Sequence, residues 1–196
     1  MKIISLDLEF NQPSGKIIEI GAVAGDLVNG EVVSLFESLV ALDEDLLPRI
    51  TTLTGISPEM LFDAPNLADA GAAFLTWSAS FKEFPNLMTW GGGDSEQLKQ
   101  QLGSNFKWPF GFRYLDVKTV FIAHQQSKGH WMPRGGLAKS MTKLGLSFQG
   151  QKHRALCDAY NTFALYYNLL RSLRGESCSA TKAPIEILRP RLLKQI

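Results

Sequence analysis

The chain has 196 residues, 45% hydrophobic and 20% charged, with a formal net charge of +1. That is room for one domain with a real core. It excludes wholesale disorder and a histone-like polycation, but not a nucleic-acid enzyme with a local basic patch. Two cysteines, Cys157 and Cys178, make neither a CxxC pair nor a disulfide framework, so a reduced, cytoplasmic setting is the expectation. Apolar runs such as Gly71 to Trp77 fall far short of the ~18–20 residues of a membrane span. Asp7 and Glu9 interrupt the apolar stretch that a secretory signal needs. No membrane partner is expected.

The first forty residues predict an antiparallel meander of three strands. Lys2 to Leu8 is short and β-rich, Ile17 to Val23 is a second apolar run, and Val32 to Leu39 is a third strand behind the turn Val28-Asn29-Gly30-Glu31. Helical sequence follows. Ser57-Pro58-Glu59 has the form of an N-cap with proline at the first helical position. Asn66 to Phe81 is Ala-rich, with Leu67, Ala70, Phe74 and Trp77 near helical spacing. Asn86 to Trp90 predicts a short buried strand that ends at Gly91-Gly92-Gly93, with a helix from Ser95 to Leu102 behind it. Tyr114 to Val117 is a possible fifth strand, and Gly136 to Leu144 and Ala155 to Leu173 are further helices. Strands first, then β and α in alternation, imply an α/β fold with a mixed sheet flanked by helices. From residue 171 onward Arg171, Arg174, Lys182, Arg189, Arg191 and Lys194 outnumber Glu176 and Glu186, and Pro184 and Pro190 predict an irregular basic tail.

Asp7 and Glu9 stand two apart at the end of an apolar strand, so their side chains leave the same face. Like charges so placed repel unless a cation lies between them, and hard oxygen ligands suit Mg²⁺ or Mn²⁺. A solvated strand end is the plainer alternative, since Asp-x-Glu is common by chance. Asp94 follows three glycines and opens a helix, where it is equally an N-cap. No Gly-Lys-Ser/Thr follows these glycines, and Gly145-x4-Gly150 is followed by Gln151, so neither stretch makes a P-loop. His153 and Asp158 are five apart. On one ideal helix they would diverge by about 140°, but they can meet if His153 lies in the loop before the helix and Asp158 in its first turns. A single histidine is more often structural than catalytic. Cys157 reads as a small buried group, not a nucleophile. His124 and His130 have no partner pattern.

Taken together, three fragments resemble the DEDDh superfamily of 3′–5′ exonucleases, which have the RNase H-like (DnaQ-like) fold. They are Leu6-Asp7-Leu8-Glu9 with Ile17-Ile18-Glu19-Ile20-Gly21, then Trp90-Gly91-Gly92-Gly93-Asp94, then His153-Arg154-Ala155-Leu156-Cys157-Asp158. The segment Leu53-Thr54-Gly55-Ile56 also looks like the family's connection between the meander and the next helices. Within the superfamily, the ERI-like RNA-trimming exonucleases are the most similar subgroup. The resemblance implies a sheet of about five strands, an exonuclease domain over residues 1–174 and a basic tail over 175–196.

It also implies roles. Asp7, Glu9, Asp94 and Asp158 match the metal ligands for two Mg²⁺ or Mn²⁺ ions, and His153 matches the general base. Leu8, Phe10, Leu53 and Thr54 match the neighbourhood that contacts the terminal nucleotide. Phe10 departs from the smaller residue that many relatives carry there. It could stack on a base or serve as a core aromatic. The implied partner is a single-stranded 3′ end of DNA or RNA, cut to nucleoside 5′-monophosphates. The sequence leaves DNA or RNA preference and oligomeric state open. A nucleic-acid-binding module that keeps the fold without the chemistry is the alternative, and the presence of all four carboxylates and the histidine speaks against it.

Overall fold

Side-chain alternation along the first strand accounts for the layering of the molecule. In β1 (Lys2–Phe10) Ile4, Leu6 and Leu8 point to one face and Ile3, Ser5, Asp7 and Glu9 to the other. The computed structural model describes residues 1–81, 86–104, 106–111, 114–131 and 135–177. β1 pairs antiparallel with β2 (Ile17–Asp26), and β2 pairs antiparallel with β3 (Glu31–Leu39). β1 also pairs parallel with β4 (Asn86–Thr89), which pairs parallel with β5 (Tyr114–Asp116). The five-stranded order is β3-β2-β1-β4-β5, so β1 is central.

Helices cover both faces. Ile4, Leu6 and Leu8 pack with Ala70 and Phe74 of α3 (Leu67–Ala79) and Leu98 and Leu102 of α4 (Asp94–Leu102). Ile3, Val23 and Met88 pack on the other side against α5 (Val117–Ser127), α6 (Leu137–Lys143) and α7 (Ala155–Leu173). A smaller cluster joins Ile18 and Leu46 to Ile50 of α1 (Pro48–Thr54) and Leu61 of α2 (Pro58–Phe62). The mixed sheet flanked by helices is therefore as expected, and α7 spans the residues that its apolar pattern predicted.

Two helices were not legible. α1 has only seven residues, but proline stands in its first turn and Gly55 takes the left-handed φ of 73° at its C-cap. α5 is rich in Val, Ile and Thr, a β-like composition, and its start is set by Asp116, whose side chain accepts the Thr119 N–H. Asp94 is not an N-cap: Gly93 caps α4, with φ 124°, and Asp94 is the first residue inside the helix. Ser57 caps α2 without a side-chain bond to the helix backbone, its side chain pairing instead with that of Glu59. The expected basic tail lies, from residue 178 on, outside the described residues. No helix among the described residues is long and apolar enough to cross a membrane.

Candidate active site

The strand β1 delivers Asp7 and Glu9 to the face that α7 covers, at the C-terminal end of the strand. Their antiparallel partners are Gly21 and Glu19, and the register slips just past Glu9, which ends regular pairing there. Asp94 arrives from the parallel neighbour β4. The turn that carries it is held by the Thr89 hydroxyl on the Gly91 carbonyl (2.5 Å) and by the Gly91 N–H on Asp116 Oδ1 (3.1 Å). Gly93 supplies a positive φ that few other residues adopt. Asp158 comes from the first turns of α7, and His153 from the loop before it, the arrangement that the five-residue spacing required.

These groups converge. Ligand atoms of Glu9, His153 and Asp158 lie within 4.8 Å of one another. The His153 N–H donates to Asp158 Oδ2 at 3.2 Å. His153 itself has φ 60°, a left-handed conformation that costs a side-chain-bearing residue about 1–2 kcal/mol. Asp7 is close enough to feel the charges of Asp94, Asp158 and Glu9. An open cavity of about 440 Å³ borders the cluster, lined by Asp7, Leu8, Glu9, His153 and Asp158 together with Trp90, Leu137, Lys139, Phe148 and Lys152. A larger groove of about 680 Å³, between Lys16, Asn66 and the glutamines of α4, contains none of the predicted site residues.

The carboxylates sit in a costly environment. Burial first, then repulsion from the neighbouring acids, raises Asp7 well above its ordinary value. Burial and the charges of Asp158, Glu19 and Asp94 push Glu9 up to about 8. Burial lifts Asp94 to about 7, and it lifts Asp158 to about 6 despite the opposing His153 N–H bond. Among the described residues no ion pair reaches any of the four. The nearby Arg154 is committed to Glu19, with Nη2 to Oε1 at 2.6 Å and Nε to the same oxygen at 2.9 Å. Four all-oxygen side chains that repel one another, three of them lining an open cavity and Asp94 close enough for its charge to act on Asp7 and Glu9, are a donor set suited to hard divalent cations. Burial pushes the Cys157 thiol up to about 11, which fits its reading as an inert packing group.

The other expected contacts are more dispersed. Leu8 lines the cavity, whereas Phe10 packs against the α3–α4 side of the sheet. Leu53 is exposed. The buried Thr54 hydroxyl bonds the Ile50 carbonyl at 2.8 Å, and the Thr54 carbonyl accepts from Gln151 at 2.9 Å, which ties the end of α1 to the loop of His153. Trp90, Lys139, Phe148 and Lys152 were not picked out as cavity residues. Their signal was weak: isolated aromatics and lysines acquire meaning only once the fold places them around one cavity.

The α/β sheet thus gathers its acids beyond the C-terminal ends of β1 and β4, the arrangement of a metal-dependent enzyme site. Residues 4–166 match the Exonuclease (RNase T) family, and the chain belongs to that family. A curated relative, the probable 3′–5′ exonuclease KapD of Bacillus subtilis (strain 168), is 27% identical over 178 residues, covering 84% of this chain and 82% of the relative. Among solved structures, the fold is similar to cell-death related nuclease 4 (CRN-4), with a TM-score of 0.76, 19% identity, and coverage of 87% of this chain and 64% of that one. It is also similar to the nuclease domain of 3′hExo, a DEDDh family member solved bound to rAMP, with a TM-score of 0.71, 20% identity, and coverage of 92% and 96%. The resemblance to DEDDh 3′–5′ exonucleases, read from the motifs, is thus borne out by the family match and by these relatives.

Proposed function

We propose that this exonuclease is a divalent-metal-dependent enzyme that trims single-stranded 3′ ends of DNA or RNA and releases nucleoside 5′-monophosphates. The observation that carries this reading is the group of four mutually repelling carboxylates, unpaired by any cation among the described residues, next to His153. Asp7, Glu9, Asp94 and Asp158 would hold two Mg²⁺ or Mn²⁺ ions. When bound, such ions neutralise the phosphodiester's charge and make water a stronger nucleophile.

The chain's own residues do the rest. His153, exposed at the cavity rim, accepts the proton of the attacking water. Water oxygen bonds to phosphorus, the bond to the 3′ oxygen breaks, and that oxygen takes up a proton to leave a new 3′ hydroxyl on the shortened strand. Lys139 and Lys152 at the cavity are placed to meet strand phosphates, and Trp90 and Phe148 offer apolar faces to bases. Leu8 and Leu53 are assigned the terminal nucleotide, with Thr54 acting by holding the end of α1 against Gln151, while Phe10, packed on the α3–α4 side of the sheet, serves as a core aromatic.

The test is degradation of matched 5′-labelled DNA and RNA single strands with Mg²⁺ or Mn²⁺. A ladder shortening from the 3′ end, with 5′-monophosphate products, is expected. Asp7→Asn should abolish it, and His153→Ala should lower the rate by about 10²–10⁴-fold. Full activity in a folded Asp7→Asn protein would overturn the assignment of the acids.

A further inference from the structure

Glu19 is a fifth carboxylate beside the four, directly opposite Glu9 in the β1–β2 register and fully buried. Sequence position alone would make it a candidate metal ligand. Its hydrogen bonds make it something else. Oε1 accepts from Arg154 Nε (2.9 Å) and Nη2 (2.6 Å), and Oε2 accepts from the Ala155 N–H at 2.8 Å. Both oxygens are thus occupied by the residues immediately after His153. Arg154 reaches a second acid as well, Glu37 of β3, at 3.4 Å. The start of α7 is therefore bolted to two strands of the sheet.

His153 needs such an anchor. A non-glycine residue persists at φ 60° only where its surroundings over-determine the backbone. The preceding loop is held on its other side by Asn161, whose side chain accepts the Gln149 N–H (2.9 Å) and donates to the Gln149 carbonyl (2.7 Å). Behind the histidine, the hold comes from Glu19 and Arg154. Release of that hold would let residue 153 relax toward negative φ and swing the imidazole away from Glu9 and Asp158.

We propose that Glu19 and Arg154 are positioning residues for hydrolysis: the pair fixes the backbone on which His153 is presented to the acidic cluster. The claim rests on the assignment of His153 as the base. It goes beyond that assignment by naming what holds the base in place. Neither residue lines the cavity. Because a small misplacement of a catalytic group can cost about 10²-fold, the effect falls on kcat and leaves KM nearly unchanged.

The test compares Glu19→Gln, which keeps the shape and an oxygen for the Ala155 N–H, and Arg154→Lys, which keeps the charge but loses the fork. Each is made with His153 intact and in a His153→Ala background. With His153 present, kcat on a single-stranded oligonucleotide should fall about 10–100-fold for each substitution. In the His153→Ala background the same substitutions should cost less than about 3-fold, because the group they position is gone. Equal losses in both backgrounds would mean general damage to the fold and would overturn the proposal. So would unchanged kcat in Glu19→Gln. Full activity in His153→Ala alone is a different failure, that of the base itself. A readout without metal or turnover completes the test. The ring resonances of His153, identified among the three histidines by their loss in His153→Ala, should shift or split in Glu19→Gln in the metal-free protein. An unchanged ring spectrum would also overturn the positioning role.

Discussion

At the scale of single residues, the central fact is electrostatic. Glu9, Asp94 and Asp158 are raised to about 8, 7 and 6 respectively, and Asp7 is raised as well, so the folded, ion-free protein binds protons more tightly than the unfolded chain. Stability is then lost as pH climbs from the unfolded carboxylate range, near 4, through those raised values. The acids with lowered values, such as Asp26 and Glu44, are ionised in both states above about pH 5.5 and drop out. His124, lowered by burial, works in the opposite sense below its ordinary value, but it is one group against four. In EDTA, thermal denaturation should therefore give a higher Tm at pH 5.5 than at pH 8.5, and added Mn²⁺ should raise the Tm at pH 8.5. Asp7→Asn should raise the metal-free Tm at pH 8.5, by about 2–4 °C for each kcal/mol of repulsion relieved. A Tm that climbs with pH in EDTA would contradict this account of the cluster.

At the scale of elements, function depends on how closely α7 approaches the sheet. Gly21 permits that approach: a Cβ there would stand 2.1 Å from the Ala155 carbonyl carbon and from the Leu156 nitrogen, both backbone atoms that cannot rotate away. Gly21→Ala should therefore destabilise the fold by about 1–3 kcal/mol and reduce kcat through displacement of Asp158, while a wild-type Tm in that variant would refute the close approach. The same helix was the easiest to read in advance, because its apolar residues run nearly all round it and most are buried. α1 and α5 were missed for local reasons. Seven residues carry too little periodicity, and Val117, Val120 and Ile122 favour strands until the Asp116 cap and packing on α7 decide otherwise.

At the scale of the whole molecule, a net charge of +1 leaves little general attraction for a polyanion, so the strand binding proposed above requires a local grip. Lys139 on α6 and Lys152 before α7 meet at the cavity from different elements. Replacing either with alanine should weaken single-strand binding across sequences and reduce the slope of log K against log salt by about 0.7. An unaltered slope would remove that lysine from the strand's path. Truncation after Arg174 should likewise flatten the salt dependence if residues 175–196 add to the grip. The sequence by itself determined the order of the strands, the two-sided alternation of β1 and the candidate acids and histidine, because periodicity and motif spacing are local properties. Only the tertiary structure decided that Glu9, His153 and Asp158 share one small volume, that Glu19 is occupied by Arg154 and Ala155, and that Trp90, Phe148, Lys139 and Lys152 line one cavity. Those relations join residues far apart in the chain, and they exist only once the sheet and α7 have packed.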